Sequence, residues 1–66
     1  MEVNVQKVKI FKIKNRKGYA AVCLNHLTEG KTVFQTYGRM IKALKRSGHF
    51  LMALDARTVK KLITLL

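Results

Sequence analysis

The chain is 66 residues long, 48% hydrophobic, with 14 Lys+Arg against 3 Asp+Glu and a formal net charge of +11. The apolar share is too high for a disordered basic tail, the length admits one domain (residues 1–66), and no apolar run approaches the about 20 residues of a membrane helix. A body so small repels itself at this charge, which points to a polyanionic partner.

Residues 3–14 are β-branched and alternating, as a strand is. The phase slips, from Val3 and Val5 to Val8 and Ile10 and then to Phe11 and Ile13. Each slip turns the apolar side over unless a bulge takes up the extra residue, so a long bent strand with one or two irregularities is expected. Asn15-Arg16-Lys17-Gly18 suits a hairpin loop with Gly18 at positive φ. Residues 19–24 read as the return strand. Residues 26–31 are ambiguous, with a short third strand one reading and Glu29-Gly30 supplying turn chemistry.

Thr32 and Gln35 make a capping box, the hydroxyl taking one free backbone N–H and the amide reaching back. Val33, Phe34, Tyr37, Met40, Ile41 and Leu44 then form one helical stripe. Ser47-Gly48 ends that helix, with Lys45 and Arg46 at its negative end. Residues 50–54 are apolar on both faces, as an interior strand is. Asp55 caps a last helix, 56–66, with Val59, Leu62, Ile63 and Leu66 on one face. The expected fold is α+β, an antiparallel sheet of three to four strands in the order β-β-(β)-α-β-α, covered on one face by two helices.

Charge is unevenly placed on this frame. Lys7, Lys9, Lys12, Lys14, Arg16 and Lys17 lie between Glu2 and Glu29 with no acid among them. Lys12 and Lys14 alternate with Phe11 and Ile13 and so share a face, as Lys7 and Lys9 do; the bulge decides whether the two faces coincide. Arg16 and Lys17 sit at the loop tip, and a two-stranded ribbon fits the major groove of B-form DNA. Tyr19, directly after the turn, is open to stacking on unpaired bases, while Phe11 is expected in the core with Ile10 and Ile13. Arg39, Lys42 and Arg46 recur on one face of the helix as a second strip. Lysine outnumbers arginine, which favours backbone contact over base reading. The partner expected is therefore nucleic acid, DNA ahead of RNA.

Other chemistry is thinly supplied. Cys23-x-x-His26 is half of a zinc motif, with His49 a distant third ligand, but a structural zinc site needs four. The same residues have no orienting carboxylate for nucleophilic catalysis. Gly30-Lys31-Thr32 echoes a phosphate-binding loop without its glycine spacing, and helix capping explains it. No enzyme activity, metal, cofactor or small-molecule substrate is expected. The apolar stripe is needed for the core of so short a chain, which sets a membrane surface aside. One unpaired cysteine fits a reducing cytoplasm, and a small core without disulfide or metal favours a homodimer.

Gly18-Tyr19-Ala20-Ala21-Val22-Cys23-Leu24, then Glu29-Gly30-Lys31-Thr32 and an amphipathic helix ending in Ala43-Leu44, resembles the N-terminal module of HicB-like antitoxins over residues 8–46. That resemblance implies a protein-interaction module. The family's modules are typically acidic and their helix opens on acidic residues, whereas Val33-Phe34-Gln35-Thr36 stand here. An acidic partner is thus the alternative expectation. The order of hairpin and helix is also similar to the three-stranded DNA-binding domains at the N-termini of some phage integrases.

Overall fold

Asn4 decides the start of the chain. The computed structural model describes residues 2–15 and 17–63, and in it residues 3–14 are not one strand. The Asn4 side chain accepts from the Gln6 N–H at 2.8 Å and caps a 3₁₀ turn, Val5–Lys7. This local bonding competes with the ladder, as short polar side chains do. The turn separates β1 (Glu2–Val3) from β2 (Lys9–Lys12). It takes up the phase slip that a bulge was expected to absorb, and it leaves Val3, Val8 and Ile10 all buried.

β2 pairs antiparallel with β3 (Tyr19–Cys23), and β3 with β4 (His26–Gly30), in the order β2-β3-β4. Ile10 stands opposite Ala21, and Ala21 opposite Thr28. The ambiguous segment is thus a third strand. Pairing of Cys23 with His26 leaves a two-residue turn in which Leu24 takes φ 55°. Alternation then sorts the faces. Ile10, Ala21 and Cys23 are buried on the inner one, while Lys9, Val22 and Leu27 are exposed on the outer one. Phe11 is half-buried on the outer face and lies outside the core cluster, contrary to expectation. Ile10 keeps its expected core position, and alternation along β2 turns its neighbour Phe11 to the opposite face.

α1 (Val33–Arg46) packs on β3 and β4. The Gln35 N–H donates to Thr32 Oγ1 at 3.0 Å, while Gln35 Oε1 accepts from the Lys31 N–H at 2.7 Å, one residue beyond the cap. At the other end the Gly48 and His49 N–H groups donate to the Lys45 and Leu44 carbonyls, a Schellman closure. Val33, Thr36, Tyr37, Met40 and Leu44 are buried. The fully buried Met40 and Leu44 each stabilise the fold by on the order of 1.5–3 kcal/mol. Thr36, the buried polar residue of this face, has its hydroxyl directed to the Thr32 and Tyr19 carbonyls at 2.7 and 3.3 Å. The Tyr37 hydroxyl donates to the Met52 carbonyl, tying α1 to the chain beyond β5 (Phe50–Leu51).

The last third departs from expectation in two ways. β5 pairs parallel with β1, Glu2 opposite Phe50 and Val3 opposite Leu51, and only Leu51 of the two β5 residues is buried. Phe50 and Met52 are 59% and 50% exposed, so residues 50–54 are not an interior strand. α2 (Ala56–Lys60) begins at Asp55 as expected, with Asp55 Oδ1 accepting from the Thr58 N–H at 2.7 Å, but it ends at Lys60. Beyond it the Leu62 carbonyl accepts from the Ile10 N–H, and Ile63 bridges Ile10 in parallel. A short helix has little cohesion of its own, and bonding to the outer edge of β2 takes over. Leu66 lies outside the described residues. The architecture is α+β: a three-stranded antiparallel sheet, a parallel strand pair and two helices. No helix among the described residues is long and apolar enough to cross a membrane.

Candidate functional site

The described cations of the first basic stretch, Lys7, Lys9, Lys12, Lys14 and Lys17, do not form one surface. Lys7 is exposed on the 3₁₀ turn, outside the sheet. Lys9 and Lys12 are three positions apart on β2, so they emerge from opposite faces. Lys14 lies in the loop beyond, and Arg16, expected at the tip, lies outside the described residues. β2 is also separated from β4 by β3, a distance of about 10 Å.

Lys17 goes elsewhere, for reasons visible in two glycines. Gly18 has φ 131°, a conformation that side chains rarely adopt, and a Cβ built on it would stand 2.9 Å from the Gly30 carbonyl oxygen. The Ile13 N–H donates to the Gly18 carbonyl at 3.2 Å and closes the hairpin. The end of the hairpin is thereby laid against the end of β4. Gly30 in turn lies against α1: a Cβ there would meet Thr36 Oγ1 at 2.8 Å and the Thr36 nitrogen at 2.9 Å. Hairpin, edge strand and helix start are held together at the two positions without side chains.

The result is a trough along the seam of β4 and α1. Its longer part has a volume of about 520 Å³, with Arg39, Lys42 and Arg46 on the helix wall and Leu27, Thr28 and Glu29 on the strand. Its continuation, about 240 Å³, is lined by Lys17, Lys31, Gln35 and again Arg39 and Glu29. Glu29 is the single carboxylate lining either part. Arg39 stands where the two parts meet, its Nη1 donating to the Glu29 backbone carbonyl at 2.8 Å. That bond also covers part of the outer edge of β4, which has no second strand partner among the described residues. The seam is fastened below by Thr28 Oγ1 donating to the Thr36 carbonyl at 3.2 Å. Such concave, predominantly cationic surroundings concentrate the field that attracts anions.

A third depression adjoins the start of α1, with a volume of about 410 Å³ and walls from Tyr19, Lys31, Val33, Phe34, Ala56 and Lys60. Tyr19 is half-buried and packs against the core cluster as well. Phe34 is 53% exposed rather than part of the buried stripe. Val33, Tyr37, Met40 and Leu44 fall on one line, and Phe34 lies about 100° round the axis from it. Lys31, Lys60 and Phe34 are thus the lining residues that sequence reasoning missed. The signal for Phe34 was its angular offset; Lys31 was absorbed by the capping motif.

The remaining candidates are otherwise engaged. Cys23 is buried, and burial pushes its thiol up, with the Lys7 ammonium opposing. A thiol held protonated is a poor nucleophile. His26 Nε2 shares a 3.0 Å hydrogen bond with Ser47 Oγ. Among the described residues, no group of three His, Cys, Asp or Glu side chains could hold a metal ion. No family model, no curated protein and no solved structure matches the chain.

Proposed function

We propose that this protein binds nucleic acid, DNA ahead of RNA, by holding phosphates in the trough between β4 and α1. The observation that carries this reading is the convergence of Lys17, Lys31, Arg39, Lys42 and Arg46, from three separate segments, on one concave surface. Folding alone gains nothing from bringing like charges together; a polyanion does. Gln35, the glutamine of this lining, has its Oε1 engaged by the Lys31 N–H, and a lining led by lysine and arginine suits contacts to the backbone ahead of base edges.

A salt titration of binding tests this. Affinity should fall with a log–log slope of about −0.9 per phosphate held on duplex DNA, or about −0.7 on a single strand. Lys42→Ala and Arg46→Ala preserve helix propensity and should each flatten the slope by about one contact. Lys9→Ala, outside the trough, should leave it unchanged. Undetectable binding at ~50 mM salt, or binding indifferent to salt, overturns the reading.

A second reading, the HicB-like interaction module, is favoured by the open outer face of the sheet, where Val22 and Leu27 are 36% and 63% exposed. On that reading an acidic protein occupies the basic surface. It predicts a stoichiometric protein complex disrupted by Leu27→Lys, with only weak and indiscriminate DNA affinity.

A further inference from the structure

The three depressions share walls. Arg39 and Glu29 line both the first and the second, and Lys31 lines both the second and the third. The first two follow one side of α1 from its last residue, Arg46, to Gln35, and the third lies round the start of the helix at Phe34, joined to them through Lys31. A 14-residue helix is about 21 Å long, so the path is several nucleotides in extent. Cations recur along it: Arg46, Lys42, Arg39, Lys17, Lys31 and finally Lys60. Aromatic rings occur at one end alone, where Phe34 and Tyr19 line the same depression as Lys31 and Lys60.

Shape and ring position together choose the ligand. A helix reads duplex DNA by entering a groove as a convex element. Here the cationic face of α1 is the inner wall of a concave seam, because β4 runs beside it. A duplex meets only the rim of such a seam, while a flexible single strand can lie in it. Single-strand sites pair a cationic groove for the backbone with an aromatic face for the bases. A scattered exposed phenylalanine carries no meaning. Phe34 is different because its ring borders a depression of 410 Å³, a size class that admits a flat heterocycle, at the end of a cationic path.

We infer that the trough binds a single strand, with its backbone along Arg46, Lys42, Arg39 and Lys31 and one base stacked on Phe34. This inference rests on the nucleic-acid reading above. The test compares a fluorescently labelled oligothymidylate with a duplex of equal length at one salt concentration, using wild type, Phe34→Ala and Phe34→Trp. Inorganic polyphosphate serves as a base-free polyanion. The single strand should bind at least about tenfold tighter than the duplex. Phe34→Ala should lose about tenfold or more for the single strand and nothing for polyphosphate. The chain contains no tryptophan, so in Phe34→Trp the one indole should be quenched by the oligonucleotide and not by polyphosphate. Equal or tighter duplex binding overturns the inference, as does a single-strand affinity indifferent to Phe34→Ala; either leaves the phosphate-holding reading standing. Failure of every polyanion to bind at low salt removes both. Phe34 is exposed, and an unchanged unfolding midpoint confirms that each variant is folded.

Discussion

Of the four glycines, Gly30 is the one at which an added Cβ would meet the closest neighbour. Its missing side chain lets β4 reach the first turn of α1, and Lys31 and Thr32 follow at once. Gly30→Ala would press a methyl group against the Thr36 nitrogen, a backbone atom that cannot swing aside. The helix start must then move off the strand. We expect a loss of about 1–3 kcal/mol in urea unfolding, and a fall in single-strand affinity, since Lys31 and Phe34 both hang on that junction. Leu24 offers the opposite case. Its φ of 55° costs a branched side chain about 1–2 kcal/mol. Glycine is free of that strain, and Leu24→Gly should stabilise the protein by about 0.5–1 kcal/mol after its own entropy is counted. An unchanged or lowered unfolding midpoint would show that Leu24, 49% exposed, gains more from its contacts than it loses in strain.

At the level of elements, α1 is legible in the sequence because its signals agree. Thr32 caps it, a 3.6-residue stripe buries it, and Ser47-Gly48 closes it. The first strand is not legible, because a phase slip at Asn4 looks the same whether a bulge or a 3₁₀ turn absorbs it. β5 misleads for a related reason: Phe50 and Met52 are apolar, yet two-residue pairing with β1 leaves them uncovered. The trough itself was half legible. Arg39, Lys42 and Arg46 share a face by simple spacing, but no local pattern tells that Lys17 and Lys31 will join them across two glycines. α2 depends on its cap. The Thr58 side chain and N–H, both bonded to Asp55, hold the Asp55 carboxyl below its usual range. A depressed carboxyl contributes its stabilisation above the ordinary carboxylate pKa and loses it as pH falls through the lowered value. Helicity of residues 56–60 should therefore fade in acid. Asp55→Asn, which keeps a capping oxygen, should remove that pH dependence; persistence of it in the variant would locate the acid sensitivity elsewhere.

For the whole molecule, the net charge of +11 makes salt act in two opposed directions. Screening relieves self-repulsion, since the Debye length falls from about 30 Å at 0.01 M to about 8 Å at 0.15 M. The free protein should melt at a higher temperature as salt rises over that range, while the proposed hold on nucleic acid should weaken. Saturating oligonucleotide at low salt should raise the melting temperature further by mass action. A melting temperature that falls with added salt would mean that the charges are already compensated within the fold.

The pairing of Glu2 with Phe50 and the bond from Ile10 to Leu62 also have a kinetic meaning. Each closes a loop across most of the described residues, and such closures cost the most chain entropy to form. β2, β3, β4 and α1, by contrast, are consecutive in the chain and joined by short connections. The hairpin, the edge strand and the long helix can therefore assemble as a local nucleus, with β1 and β5 docking afterwards. Most of the trough is complete once these elements have met. A strand already lying in the seam would act as a template, steadying the nucleus while the distant pair finds its register.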